Sequence, residues 1–245
     1  MTLEHAGGIC SLEFLVDGQL ASGNDRGEIS VWDTVTGARV RTVNAHSDKI
    51  RGLSASQSKL ASGSKDKTVR VWDTATWECT RTFECHDRVR SVALYPNSDR
   101  VAACTYEMLY VWDTATRQLI ASKNINRCNG IAVSNDGKWL AVGSLWLYDA
   151  STLDRIWSHD YACWFVSFSR DSCQLVSVIG KVSLFDVQTG NLVKSFKHGD
   201  VERAVFSHDG TRVLSGESCS VALLIVLISS IHQLPIALVD SGMST

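Results

Sequence analysis

A chain of 245 residues with 44% hydrophobic side chains is long enough to bury about 70% of its unfolded surface, so it reads as one sizeable domain or two small ones and not as a stapled mini-protein. Its 24 basic and 26 acidic side chains leave a formal charge of -2, which excludes a global field for nucleic acid or an anionic membrane and makes any charge-based recognition local. The eight cysteines, Cys10, Cys79, Cys85, Cys104, Cys128, Cys163, Cys173 and Cys219, fall at irregular spacings and read as reduced core thiols, not as a disulfide framework.

Residues 1–10 hold no basic region followed by an apolar stretch, so no secretory signal is read there and the cytosol or nucleus is the expected compartment. Thr2-Leu3-Glu4-His5 matches Thr82-Phe83-Glu84 ahead of His86, apart from the Cys85 position, and reads as the end of an outer strand whose start is absent. Further on, one tripeptide recurs as Val31-Trp32-Asp33, Val71-Trp72-Asp73 and Val111-Trp112-Asp113, at separations of 40 and 40. A fixed period of this size marks a repeat architecture. Two weaker copies, Leu147-Tyr148-Asp149 and Leu184-Phe185-Asp186, follow 36 and 37 residues further on in turn. His46, His86 and His159 each precede the aromatic of their own repeat by 26 residues, and His5 precedes Trp32 by 27, so the register is fixed twice over.

In the second repeat, residues 50–55, 59–63, 68–72 and 80–83 form alternating runs separated by polar links, the period-2 pattern of four antiparallel strands. The first two runs of a repeat are joined by Asp17-Gly18, Asn97-Ser98, Asp136-Gly137, Asp171-Ser172 or Asp209-Gly210, residues that tolerate the backbone angles of a tight turn. Each aromatic-Asp pair leads into another polar link, as in Thr34-Val35-Thr36-Gly37 and Val187-Gln188-Thr189-Gly190. The sixth repeat begins with His198 and loses the pattern inside its third strand, where Leu224 and Ile225 stand at the Trp-Asp position. Residues 218–239 carry no charge, but Ser229, Ser230, His232, Gln233 and Pro235 sit in their middle, where a membrane span is most apolar. A partly paired third strand and a loose, aberrant apolar tail over 225–245 are expected instead.

These markers resemble the WD40-repeat family over residues 2–224, with blades near 5–45, 46–85, 86–125, 126–158, 159–197 and 198–224. The resemblance implies an all-β propeller of six four-stranded blades set radially round a channel, the last blade incomplete and ring closure in doubt. A seven-bladed parent is equally compatible. The resemblance further implies a structural network of His, Ser or Thr, Asp and Trp in each blade, complete only in the second repeat as His46, Ser62, Asp66 and Trp72. Tyr106, Ile179 and Ser218 stand where Asp66 stands, and the first repeat has Arg26 there with Asp25 one place early, so rigidity is expected to vary round the ring. Such a His, Ser and Asp set is scaffold and not a hydrolase triad, because a buried imidazole needs a partner for each nitrogen and an indole N–H needs an acceptor.

No His-Glu-x-x-His, Cys-x-x-Cys, Gly-x-Ser-x-Gly or Gly-Lys-Ser/Thr pattern occurs, and Gly137-Lys138 runs into Trp139 within a hairpin turn. No enzymatic activity, cofactor or metal is expected. Aligning the strands that follow each His places Lys49, Arg51, Arg88, Arg90 and Arg127 at equivalent positions of repeats two to four, whereas the sixth repeat has Asp200 and Glu202 there. In WD40 proteins these positions lie at or near the top face used for partners. The cations read either as a solvated surface or as a dock for an acidic or phosphorylated peptide. RNA is the third reading, weakened because the basic sector is short and lacks interleaved aromatics apart from a distant Trp164, itself a candidate partner-binding residue. The expected function is a non-enzymatic interaction scaffold or substrate-recognition subunit, its partners other proteins or peptides and neither nucleic acid nor membrane. The alternative is a truncated isoform with little activity of its own.

Overall fold

A computed structural model describes residues 7–125, 127–159, 163–178, 180–196, 201–207, 210, 212–217 and 226–227. Its first sheet contains β1 (Ile9–Phe14), β2 (Leu20–Asn24), β3 (Glu28–Trp32) and β4 (Arg39–Asn44). The second contains β5 (Ile50–Ser56), β6 (Lys59–Ser64), β7 (Thr68–Asp73) and β8 (Cys79–Glu84). The third contains β9 (Ser91–Leu94), β10 (Arg100–Cys104), β11 (Met108–Asp113) and β12 (Leu119–Asn124). In the fourth are β13 (Ile131–Val133), β14 (Trp139–Val142), β15 (Trp146–Asp149) and β16 (Arg155–Ser158). In the fifth are β17 (Phe165–Phe168), β18 (Gln174–Val178), β19 (Val182–Asp186) and β20 (Leu192–Phe196). The sixth has three strands, β21 (Val201–Phe206), β22 (Arg212–Glu217) and β23 (Val226–Leu227). Every sheet pairs its strands antiparallel and in chain order, so each is one blade. No helix among the described residues is long and apolar enough to cross a membrane.

Local chemistry explains the blade. In β7, Val69 and Val71 are buried while Thr68 and Arg70 are half-buried, the alternation that a pleated strand imposes. The first hairpin of a blade closes with an i to i+3 bond, Gly18 N–H to the Leu15 carbonyl at 3.0 Å and Ser98 N–H to the Tyr95 carbonyl at 2.8 Å. Blade two is joined by Gln57-Ser58 alone, with φ of 50° at Gln57; in the other five blades the closing residue is left-handed, with φ of 84° at Gly18, 57° at Ser98, 72° at Gly137, 62° at Ser172 and 69° at Gly210. This is the three-residue hairpin whose last position takes αL. The aspartate of each Trp-Asp pair builds the next turn. Asp33 Oδ1 accepts the Val35 and Thr36 N–H groups at 2.8 Å each, and Asp113 Oδ1 accepts those of Ala115 and Thr116 at 2.8 and 2.7 Å. These donors, led by the one three residues on, hold both carboxylates below the ordinary aspartate range.

Blades stack through their opposite faces. Ile50, Leu53, Leu60 and Trp72 of blade two pack with Ala21, Ile29 and Val31 of blade one, while Val69, Val71 and Phe83 pack with Val89, Val92 and Val101 of blade three. Neighbouring inner strands also exchange hydrogen bonds, Leu53 N–H to Ser11 Oγ and Leu94 N–H to Ser54 Oγ, both at 3.0 Å. Burial pushes the Glu13 carboxyl up to about 7 against the Ala55 N–H it accepts. Its folded value lies above its ordinary 4.5, so its contribution to stability is present below that value and is lost as pH rises through 7. Glu13→Gln keeps the acceptor and removes the charge. It is expected to match wild type at pH 4 and to be more stable by about 1–3 kcal/mol at pH 8 in denaturant titrations; an equal effect at both pH values would rule the account out.

The two ends of the blade series depart from the regular pattern. Ile50 is buried, yet its counterpart Ile9, together with Leu12 and Phe14, is exposed because no described blade covers this face. Arg203 of β21 spans the seam, donating from Nη2 to the Cys10 carbonyl at 3.0 Å. In blade six, Val226 and Leu227 pair with Val213 and Arg212, as Trp72 and Asp73 pair with Leu60 and Lys59. The pair at the Trp-Asp register is therefore not Leu224-Ile225 but lies two residues beyond it. The rest of the apolar tail, 225 and 228–245, lies outside the described residues, as do His5 and His198. Leu53 is 7% exposed and its counterpart Leu12 is 51% exposed. Accordingly, Leu53→Ala is expected to cost about 2–5 kcal/mol and Leu12→Ala under about 1. Equal losses in equilibrium unfolding would mean that the face of blade one is covered.

The cysteines divide. Cys85, Cys104, Cys128 and Cys163 are free and buried, as core thiols should be, whereas Cys79 and Cys173 are free and exposed. Cys79 sits on the outermost strand of its blade, whose outward face meets no other blade, and Cys173 sits in a hairpin turn, so periodicity alone misplaces them. Cys219 lies outside the described residues.

Candidate functional site

The network of blade two comes together as one hydrogen-bonded set. His46 Nδ1 lies 2.9 Å from Asp66 Oδ2 and Nε2 lies 2.7 Å from Ser62 Oγ, which also accepts the Trp72 indole N–H at 2.9 Å. Since the carboxylate accepts from Nδ1–H, the Ser62 hydroxyl donates to Nε2 while accepting from the indole, and both buried rings are satisfied. Burial lowers the His46 pKa against the opposing pull of Asp66, so the ring is neutral at pH 7. Burial raises Asp66, but the Thr68 and His46 contacts outweigh it and hold the carboxylate low. Elsewhere the set is reduced. In blade one Trp32 Nε1 donates to Ser22 Oγ at 2.8 Å. In blade five the Trp position is Phe185, which has no N–H, and Ser177 Oγ is buried with no partner among the described residues.

The cations gather where the loops entering β5, β9 and β13 meet the β6–β7 and β10–β11 turns. Backbone bonds fix these loops: Lys65 N–H donates to the Lys49 carbonyl at 2.9 Å, Val89 N–H to Ser64 at 2.9 Å, Arg90 N–H to Cys104 at 2.8 Å and Cys128 N–H to Tyr106 at 3.0 Å. Arg51, Arg88 and Arg90, with Lys65, line a hollow of about 170 Å³. Burial and the neighbouring Arg90 depress the Arg51 pKa, and Arg203 adds to the effect against a smaller opposing pull from Cys10, as expected where like charges are brought together. None of Lys49, Arg51, Arg88, Arg90 or Arg127 is ion-paired with a carboxylate among the described residues. Lys49 borders this group half-buried at the foot of β5, and Arg127 is exposed with φ of 55°, a left-handed conformation uncommon outside glycine.

Trp164 is not remote from the cations. It shares a cleft of about 510 Å³ with Arg90, Tyr106, Arg127, Asn129 and Cys163, because the start of β17 lies against that of β13 across the blade interface. Arg90 forms the wall between the two concavities, its Nη1 donating to Asn129 Oδ1 at 3.2 Å and its guanidinium lying 5.3 Å from the Tyr106 ring centre. Reading the sequence missed Lys65, Tyr106, Asn129 and Arg203 as members of this region. Tyr106 carried a signal, since it replaces a network aspartate at a turn facing the same surface. The acidic character expected of blade six is not part of the described site: Asp200 and the Glu202 side chain lie outside the described residues, and Arg203 brings positive charge beside Arg51.

Among families, the WD domain, G-beta repeat, matches residues 1–33, 37–73 and 77–113. No curated protein matches the sequence. Among solved structures, the chain is similar to the β-propeller domain of Myceliophteria thermophila Cps50 (Swd1), at 19% identity and a TM-score of 0.77, over 88% of this chain and 81% of that one. It is also similar to a chain of the Mitotic Checkpoint Complex, at 18% identity and a TM-score of 0.80, over 88% of this chain and 73% of that one. At such identities the likeness shows the fold alone. With three consecutive repeats matched over residues 1–113 and the same strand order continued into the sixth sheet, the chain has the fold of a WD40-repeat β-propeller.

Proposed function

We propose that this chain is a non-enzymatic protein-interaction scaffold or substrate-recognition subunit, and that its basic sector takes an acidic or phosphorylated peptide from a partner protein. The observation that carries the reading is the crowding of Arg51, Arg88 and Arg90 round one hollow with no carboxylate paired to them among the described residues. Guanidinium groups forced together lower their mutual repulsion when an anion enters, and their planar donors suit carboxylate and phosphate oxygens. Stacked blades hold these groups on a rigid frame, which spares the partner much of the ordering cost. One similar structure is part of a multiprotein complex, which favours protein partners here too.

The test is affinity capture from lysate with the full chain and with Arg51→Ala/Arg90→Ala, each with and without phosphatase and with and without RNase. The reading expects partners that the double variant loses and that RNase does not release; phosphatase sensitivity separates phosphate from carboxylate. An unchanged partner list would leave the arginines as solvated surface, and release by RNase would transfer the site to RNA.

A further inference from the structure

We infer that the segment bound by the basic sector carries an aromatic side chain close to its acidic group, and that this side chain enters the cleft between blades three, four and five while the acid occupies the hollow between blades two and three. The inference rests on the reading of the basic sector given above and adds the chemistry of a second subsite.

The two concavities differ in kind. The smaller, about 170 Å³, is walled by Arg51, Lys65, Arg88 and Arg90 round the buried Val89 and offers cationic donors but no aromatic face. A compact anion fits it. The larger, about 510 Å³, has the same Arg90 on one side and adds Tyr106, Trp164 and the Cys163 edge. Trp164 is 61% exposed, an indole held in water beside a cleft, as are the buried anchors of interfaces before their partner arrives. Arg90 is pinned by Asn129 and lies over Tyr106, so the wall shared by the two concavities does not swing to close either. Arg127, on its left-handed backbone, adds a second cation at the cleft, which favours the electron-rich face of an aromatic ring over an aliphatic side chain. A ligand with acid alone leaves the indole wet, and a ligand with an aromatic ring alone leaves the arginine charges uncompensated. One segment carrying both satisfies each wall.

The probe is a displayed library of random dodecapeptides, selected on the folded full chain and on three variants checked by circular dichroism. On wild type the enriched peptides are expected to share an acidic column and an aromatic column at fixed spacing. Trp164→Ala is expected to lose the aromatic column and keep the acidic one, Trp164→Phe to restore it, and Arg51→Ala/Arg88→Ala to lose the acidic column. Single peptides carrying both features are expected to bind wild type at least about tenfold tighter than Trp164→Ala. Acidic peptides without an aromatic column on wild type, or an aromatic column that survives Trp164→Ala, overturn the inference while leaving the basic-sector reading in place. Absence of the acidic column on wild type overturns both.

Discussion

Trp72→Ala is expected to lower the unfolding free energy by about 3–6 kcal/mol. The indole is 4% exposed and packs with Ile50, Leu53 and Leu60, so truncation opens a cavity between the first two blades, a change worth about 3–5 kcal/mol by itself. It also removes the donor to Ser62 Oγ, and a buried hydroxyl losing one partner adds on the order of 0.5–1.5 kcal/mol. Ser62→Ala separates the two contributions. It leaves the packing nearly intact but strips His46 Nε2 and the Trp72 N–H of their common partner, at about 2–4 kcal/mol for two orphaned groups. Ser177→Ala in blade five is the control: its hydroxyl is buried and unpartnered among the described residues, so removing it is expected to be neutral or slightly stabilising. Urea titrations of the three variants decide the matter. Equal losses at Ser62 and Ser177 would show that the hydroxyl of blade two contributes packing and not a hydrogen-bond hub.

Arg51→Ala/Arg90→Ala is expected to weaken an acidic or phosphorylated partner peptide by about 10²–10⁴-fold in Kd, since each charge-assisted contact contributes about 1.5–3 kcal/mol. The salt dependence of binding should become shallower at the same time, because fewer charges remain to be screened. Stability is expected to hold or to rise slightly. Arg51 is depressed in pKa by burial and by Arg90 itself, so the free protein holds two repelling cations, and neither touches the His46, Ser62, Asp66 and Trp72 set. A fall in melting temperature together with lost binding would mark the arginines as structural. Isothermal titration beside thermal melts distinguishes the outcomes.

Strand existence, the repeat units and turn chemistry were legible in the chain itself, because each depends on residues within one repeat. Apolar residues alternate along a strand wherever a pleat has two faces, and the Asp33, Asp73 and Asp113 carboxylates cap their own turns within three residues. The left-handed hairpin positions were legible at Gly18, Ser98, Gly137, Ser172 and Gly210; the shorter link of blade two, Gln57-Ser58 with φ of 50° at Gln57, carried no such signal. Tertiary structure alone decided what lies between repeats. Arg90 and Asn129 meet from 39 residues apart, and the cleft joins Tyr106 to Trp164, because the stacking of blades brings equivalent ends of successive inner strands side by side. The same geometry decides that Leu53 is covered and Leu12 is not. Burial of a propeller residue depends on the blade stacked against it, and a single repeat carries the pattern of its own faces but no information on whether the neighbour that should cover them is there.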